Sequence, residues 1–239
     1  MTPISYSIDQ QVFTRFPGYV RGVVIAEHLH NASSSPELVA LLREAEAGAR
    51  QRLELDHLAE NPRIASWREA FRAMGVKPSE FRPSIEAMLR RVLHGQELPS
   101  INALVDIGNI VSLRHMLPVG SHAIDIMKND IALRPATGEE EFVAFGSDVM
   151  EHPEKGEIIF AEGSTVLTRR WSWRQAVHTL TLPESTAVEI NIDGLPPVTV
   201  NEVKTAREEV MGLVQRFCGG EMRFEILSQS NPVIVIRDK

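Results

Sequence analysis

Four polar side chains sit close together in an otherwise apolar run, INALVDIGNIVSLRHMLPVGSHAID, residues 101–125. They are Asp106, Asn109, His122 and Asp125. A histidine can orient a water or donate a hydrogen bond, and an amide can hold a carbonyl oxygen or an amine. Gathered in an apolar run, such groups could line a ligand pocket. The same residues have a plainer explanation. Asp106 and Asn109 are good helix or turn caps, and His122 with Asp125 can form a local hydrogen-bonded pair in a loop. Spacing alone leaves both readings open.

A second unusual run is RRWSWR, residues 169–174. If residues 168–174 form a strand, alternation puts Arg170, Ser172 and Arg174 on one face and Arg169, Trp171 and Trp173 on the other. Indole rings stack on a base or ligand ring, and guanidinium groups bind phosphate. A core strand with its charges in solvent explains the pattern equally well.

Other candidates are weaker. No phosphate loop, dinucleotide fingerprint, zinc helix or nucleophile elbow is present. His28 and His30 flank Leu29 and read as two surface histidines in preference to metal ligands. Cys218 is the only cysteine, which excludes an internal disulfide and a thiolate metal cluster. It falls at a helix C-terminus, where the dipole disfavours the thiolate, so it reads as an inert thiol. No metal site and no cofactor is expected.

The elements that must hold these residues come from periodicity. Residues 19–26 (YVRGVVIA) read as a strand. Ser35-Pro36 starts a helix that the pattern carries to His57. A second helix follows Asn61-Pro62 and ends at Gly75, and a third covers residues 84–93 and ends at Gly95. Residues 101–111 read as a further helix or an ordered, turn-rich segment. From Ala123 onward the chain reads as short strands, including residues 168–174 and the AVHTLTL segment, residues 176–182. Thr199 and Glu202 make a capping box before a last helix, and Gly219-Gly220 stops it ahead of two terminal strands. The expectation is an α+β fold in one domain, residues 1–239, with a helical N-terminal part over 1–98 and a closing helix and strands over 199–237.

Composition narrows the function classes. Hydrophobic residues at 43% and charged residues at 24% fit a globular core. No apolar run is long enough to span a membrane, and the first residues carry no secretory pattern, so a cytoplasmic protein is expected. Asp and Glu outnumber Lys and Arg by 32 to 25, giving a net charge of −7. That balance disfavours DNA or a general nucleic-acid coat, and an RNA ligand would have to meet a local basic patch.

The run from Ile101 to Asp125 resembles the B3/B4 domain of the bacterial phenylalanyl-tRNA synthetase β subunit. The likeness lies in Ile101-Asn102, Val105-Asp106, Asn109, Val111, Leu113, Pro118, His122-Ala123 and Asp125. It continues more loosely through GEIIFAEGSTVLTRRWSW and TAVEI, covering residues 80–195. The flanking helices and the Trp171-Ser172-Trp173-Arg174 element resemble free-standing B3/B4 proteins. The resemblance implies an editing hydrolase that removes a wrong amino acid from tRNA, with tRNA or aminoacyl-tRNA as partner. It implies His122 beside the ester, Asn109 on the carbonyl oxygen or α-amino group, and Glu189 reading the amino acid side chain. Trp171, Trp173 and Arg174 would shape the pocket or meet the terminal adenosine. Gly108 stands where the family has threonine, which removes a hydroxyl from the substrate site. No part of the chain resembles an ATP-using aminoacylation core, so a ligase activity is not implied. A non-catalytic module that binds tRNA, aminoacyl-tRNA or an amino acid is the alternative, and a protein-interaction domain a third.

Overall fold

The computed structural model describes residues 3–237. In chain order its elements are β1 (Ile4–Ile8), α1 (Gln10–Arg15), β2 (Val20–Glu27), α2 (Pro36–Arg52), α3 (Pro62–Ala73), α4 (Ser84–Leu93) and α5 (Ala103–His115). Then come β3 (Val119–Ala123), β4 (Ile131–Pro135), β5 (Phe142–Val143), β6 (Met150–Glu151), β7 (Ile158–Glu162), β8 (Thr165–Arg169) and β9 (Arg174–Gln175). The chain closes with β10 (Val188–Gly194), α6 (Val200–Phe217), β11 (Glu221–Leu227) and β12 (Val233–Arg237).

The fold is α+β, as the patterning indicated. One sheet has six strands in the order β12-β1-β4-β7-β8-β9, and a second has four in the order β11-β2-β10-β3. Helices lie mainly in the first half and strands mainly in the second, as expected, and the two early strands join both sheets. β1 lies between β12 and β4, and β2 lies between β11 and β10, so the two earliest strands are interior members of both sheets.

Helix starts follow their local chemistry. Ser35 accepts a hydrogen bond from the Leu38 amide at 3.3 Å, and Pro36 occupies the first turn. Asn102 caps α5 by accepting from the Val105 amide at 3.1 Å. The Thr199–Glu202 capping box opens α6. α2 stops at Arg52, short of His57, because Leu53 is extended (φ −130°, ψ 145°) and the chain turns to bury Leu58. Asp106 is not a cap of α5. It accepts from the Ile101 amide and from the Ser34 and Ser100 hydroxyls, tying two loops to the helix.

α5 and α6 pack on one face of the four-stranded sheet. The approach is close at Gly22, where a Cβ would come within 2.8 Å of Val203 Cγ1. Alternation along β2 and β10 then sends Arg21, Glu189, Asn191 and Asp193 to the opposite face. That face meets the six-stranded sheet: Arg21 donates to the Tyr6 hydroxyl on β1, and the His122 ring lies 5.1 Å from the Phe160 ring on β7. A polar layer is thereby buried between two sheets.

Two further expectations are corrected. Residues 168–174 are not one strand. β8 ends at Arg169, and Arg170 and Trp171 turn in the left-handed region, with φ of 46° and 65°. The segment 176–182 is not a strand either. It makes one isolated bridge, Ala144 to Ala176, and then runs as a loop whose Thr179 carbonyl accepts the Ala123 amide at 3.1 Å. The two terminal strands form as expected but join different sheets.

Candidate functional site

A cavity of about 230 Å³ opens between the sheets and is closed on one side by α4 and α5. Each wall is set by an element already described. α5 brings Asn109, β3 brings Gly120 and His122, β10 brings Asn191 and Asp193, and the β8–β9 turn brings Trp171 through Gln175.

His122 is 3% exposed. Its Nδ1 lies 2.7 Å from the Thr179 hydroxyl and 3.3 Å from the Gln175 side-chain nitrogen, and its Nε2 lies 3.3 Å from the Thr168 hydroxyl. With the Thr179 hydroxyl and the Gln175 amide both at Nδ1, the arrangement fits a ring that carries its proton on Nε2. Burial, helped by the positive charge of Arg21, lowers the imidazole pKa to about 3. His122 is therefore a neutral hydrogen-bonding group at any ordinary pH.

Glu189 is directly opposite His122 in the β10–β3 pairing. It is fully buried and does not line the cavity. Asn191, which borders the cavity, donates to Glu189 Oε1 at 3.0 Å, while Oε2 has no partner among the described residues. Burial raises the carboxyl pKa to about 8, so the group carries its proton at neutral pH. The expectation that Glu189 itself forms the cavity wall is corrected to a buried position bonded to Asn191.

The cavity floor holds an ion pair. Arg21 Nε donates to Asp193 Oδ1 at 2.6 Å and Nη2 to Oδ2 at 2.8 Å, with both side chains 2% exposed. Tyr19 also donates to Asp193. These charges satisfy each other, which leaves an interior rich in hydrogen-bonding groups and poor in net charge.

The β8–β9 turn is held from outside the cavity. Glu157 accepts from Arg169 Nη2 at 2.8 Å and from the Arg170 amide at 2.9 Å. The Trp171 ring is 2% exposed and packs edge-on with Phe16, Tyr19 and Trp67 at 4.8, 4.7 and 5.1 Å. This anchoring holds two non-glycine residues in a conformation that costs about 1–3 kcal/mol each. Trp171 is mainly a core residue that touches the cavity. Trp173 and Arg174 form its rim, with Trp173 packed on Phe81 at 4.8 Å.

The residues singled out from sequence thus divide. Asn109, His122, Trp171, Trp173 and Arg174 border one cavity. Gly108 lies one residue from Asn109 on α5 but does not line it; a Cβ there would make an ordinary 3.8 Å contact with Val119. Asp125 does not pair with His122 and instead accepts from the Thr186 amide at 3.0 Å. Arg21, Asn191, Asp193, Thr168 and Gln175 were not anticipated. The stretch VEINIDG did carry a signal, because Glu189, Asn191 and Asp193 alternate with apolar residues and must share a face. No group of three or more His, Cys, Asp or Glu side chains is placed to hold a metal among the described residues. His28 and His30 are exposed, and burial pushes the Cys218 thiol up to about 11. No helix of the described residues is long and apolar enough to cross a membrane.

The family model for the B3/4 domain matches residues 66–219, which contain α4, α5 and the cavity residues from Asn109 to Asp193. The chain belongs to the B3/4 domain family. Among solved structures, this B3/4 protein is similar to an N-terminal fragment of the phenylalanyl-tRNA synthetase β-subunit from Pyrococcus horikoshii. The TM-score is 0.47 at 11% identity, over 92% of this chain and 50% of that one, so the chain spans half the length of the fragment. No curated protein matches the chain. The B3/4 match begins within α3, so β1 and β2, with Tyr6, Tyr19 and Arg21, lie outside it.

Proposed function

We propose that this B3/4 protein acts on tRNA, as a free-standing editing hydrolase that cleaves the ester between a wrong amino acid and its tRNA. The observation that carries the reading is the cavity within a B3/4 match, with His122, Asn109 and Asn191 in its walls. At about 230 Å³ it is smaller than the roughly 300–1,000 Å³ of drug-sized ligand pockets, which suits an aminoacyl group and not a whole nucleotide.

Ester hydrolysis adds water to the carbonyl carbon, builds negative charge on the carbonyl oxygen, and releases the ribose oxygen with a proton. An aminoacyl ester is reactive enough that positioning and oxyanion stabilisation supply much of the acceleration. The Asn109 amide is suited to donate to the developing oxyanion. His122, neutral with its proton on Nε2, orients the ester or the ribose hydroxyl as a hydrogen-bond donor. Glu189 acts through Asn191 as a positioning residue, fixing the amide that faces the amino acid. A protonated carboxyl does not favour a cationic side chain, so a neutral one fits this wall best.

One observation favours a second reading, a module that binds without cleaving. His122 Nδ1 is occupied by Thr179 and Gln175, so it is not available as a base toward the cavity.

The test is a deacylation panel: tRNA(Phe) charged with Tyr, then tRNAs charged with Phe, Ala, Ser, Thr and non-protein amino acids. Loss of one ester, reduced at least about tenfold by His122→Ala and by Asn109→Ala, is the expected result. Binding of the charged tRNA with no ester loss across the panel would establish the binding module instead.

A further inference from the structure

A cavity of about 230 Å³ has little room for both an aminoacyl group and its nucleoside, so on the editing reading, on which this inference rests, the nucleoside is placed at the mouth. The exposed surface next to the mouth is unusual. Phe145 is 63% exposed, and Val149, Met150 and Val177 are each at least half exposed. All four lie on the β5–β6 hairpin and the chain that runs beside it. The Phe145 amide donates to the Gln175 carbonyl at 3.0 Å, and the Val177 amide to the Val143 carbonyl at 2.9 Å. Gln175 and its neighbour Arg174 border the cavity, so Phe145 sits one strand-width from the rim.

Arg174 adds charge to that apolar surface. Its guanidinium lies 6.0 Å from the Trp173 ring centre, and its hydrogen bond is a long one, 3.5 Å to the Phe145 carbonyl. It has no ion pair among the described residues. An exposed aromatic face beside an uncommitted guanidinium at the mouth of a cavity fits a nucleotide: the ring stacks a base and the cation meets its phosphate. Large exposed apolar residues gathered at one place on a soluble surface mark interaction sites.

We propose that Phe145 is the stacking platform for the terminal base of the bound tRNA, with Arg174 holding the adjoining phosphate. Phe145 does not line the cavity, unlike Arg174, and it is exposed enough that its truncation leaves the core intact.

The experiment measures binding of one deacylated tRNA, with its 3′ end intact, and of the same tRNA lacking its terminal nucleotide. The proteins are wild type, Phe145→Ala and Phe145→Trp. Alanine substitution at a base-stacking aromatic weakens binding by roughly five- to a hundredfold. The expected result is a loss of that size for Phe145→Ala on the intact tRNA, recovery with Phe145→Trp, and equal binding of wild type and Phe145→Ala to the shortened tRNA. An equal loss on both tRNAs, or no loss on either, overturns the platform while leaving the editing reading in place. Failure of wild type to bind intact tRNA at low salt overturns both. A change of mass in solution on Phe145→Ala, with tRNA binding unaltered, assigns the patch to self-association and overturns the proposal.

Discussion

Glu189 and His122 are direct cross-strand partners on β10 and β3, and burial drives both to their uncharged forms. The carboxyl keeps its proton up to about pH 8, and the imidazole refuses one down to about pH 3. The two effects have opposite signs in stability. Below the usual histidine value of 6.5 the unfolded chain binds a proton that folded His122 does not, so stability falls as pH drops from 6.5 toward about 3. Between 4.5 and about 8 folded Glu189 holds a proton that the unfolded chain has lost, so stability falls as pH rises through that window. Thermal melts across pH should show Glu189→Gln gaining on wild type steadily from pH 4.5 to about 8. A difference that stays flat over that range would mean that Glu189 ionises like an exposed carboxylate.

Removing one half of the Arg21–Asp193 pair leaves a charge between two sheets. Asp193→Ala should cost about 3–5 kcal/mol in urea unfolding, because Arg21 then has no anion at 2% exposure. Replacing both members with apolar residues should recover much of that loss. A double variant as unstable as the single one would place the damage in packing and not in the stranded charge.

Trp171 and Trp173 are two residues apart and should behave differently. Trp171→Ala empties a site packed by Phe16, Tyr19 and Trp67 and should cost about 3–5 kcal/mol. Trp173 is half-buried at the rim, so Trp173→Ala should cost less stability and act mainly on ligand affinity. Equal losses of stability for both would contradict the assignment of one to the core and one to the mouth.

Gly108 lies inside α5 with room for a methyl group. Gly108→Ala should raise stability by about 0.5–1 kcal/mol, the difference between the two residues in a helix interior. Ester hydrolysis should be unchanged, since Gly108 does not line the cavity. A drop in activity without a drop in melting temperature would return this position to the substrate site.

The sequence made some features legible and hid others for definite reasons. Ser35 and the Thr199–Glu202 pair announced helix starts because capping depends on a few adjacent residues. The β8–β9 turn was hidden because left-handed backbone is normally signalled by glycine or asparagine, and here Arg170 and Trp171 adopt it under the hold of Glu157 and the aromatic cluster. Asn109, His122 and the Trp173-Arg174 rim were found by residue type, and the tertiary structure was needed to bring them to one cavity. Asn191 is legible in VEINIDG, which places it in phase with Glu189. Arg21 has no local signal within its apolar strand, since its partner is 172 residues away. The interior placement of β1 and β2 had no local signal, because pairing with β11 and β12 is set by contacts across nearly the whole chain.

That placement has a consequence for how the molecule is made. β2 leaves the ribosome before its neighbours β10 and β11, with α2 to α5 made in between. Until they emerge, the edge N–H and C=O groups of this apolar strand have no mate, a condition that invites wrong pairing and slows folding. The same delay applies to the cavity, since Asn191 and Asp193 arrive with β10. The cavity therefore stays incomplete until β10 is translated, and yield at high expression should depend on how well chaperones shield β2 during that wait.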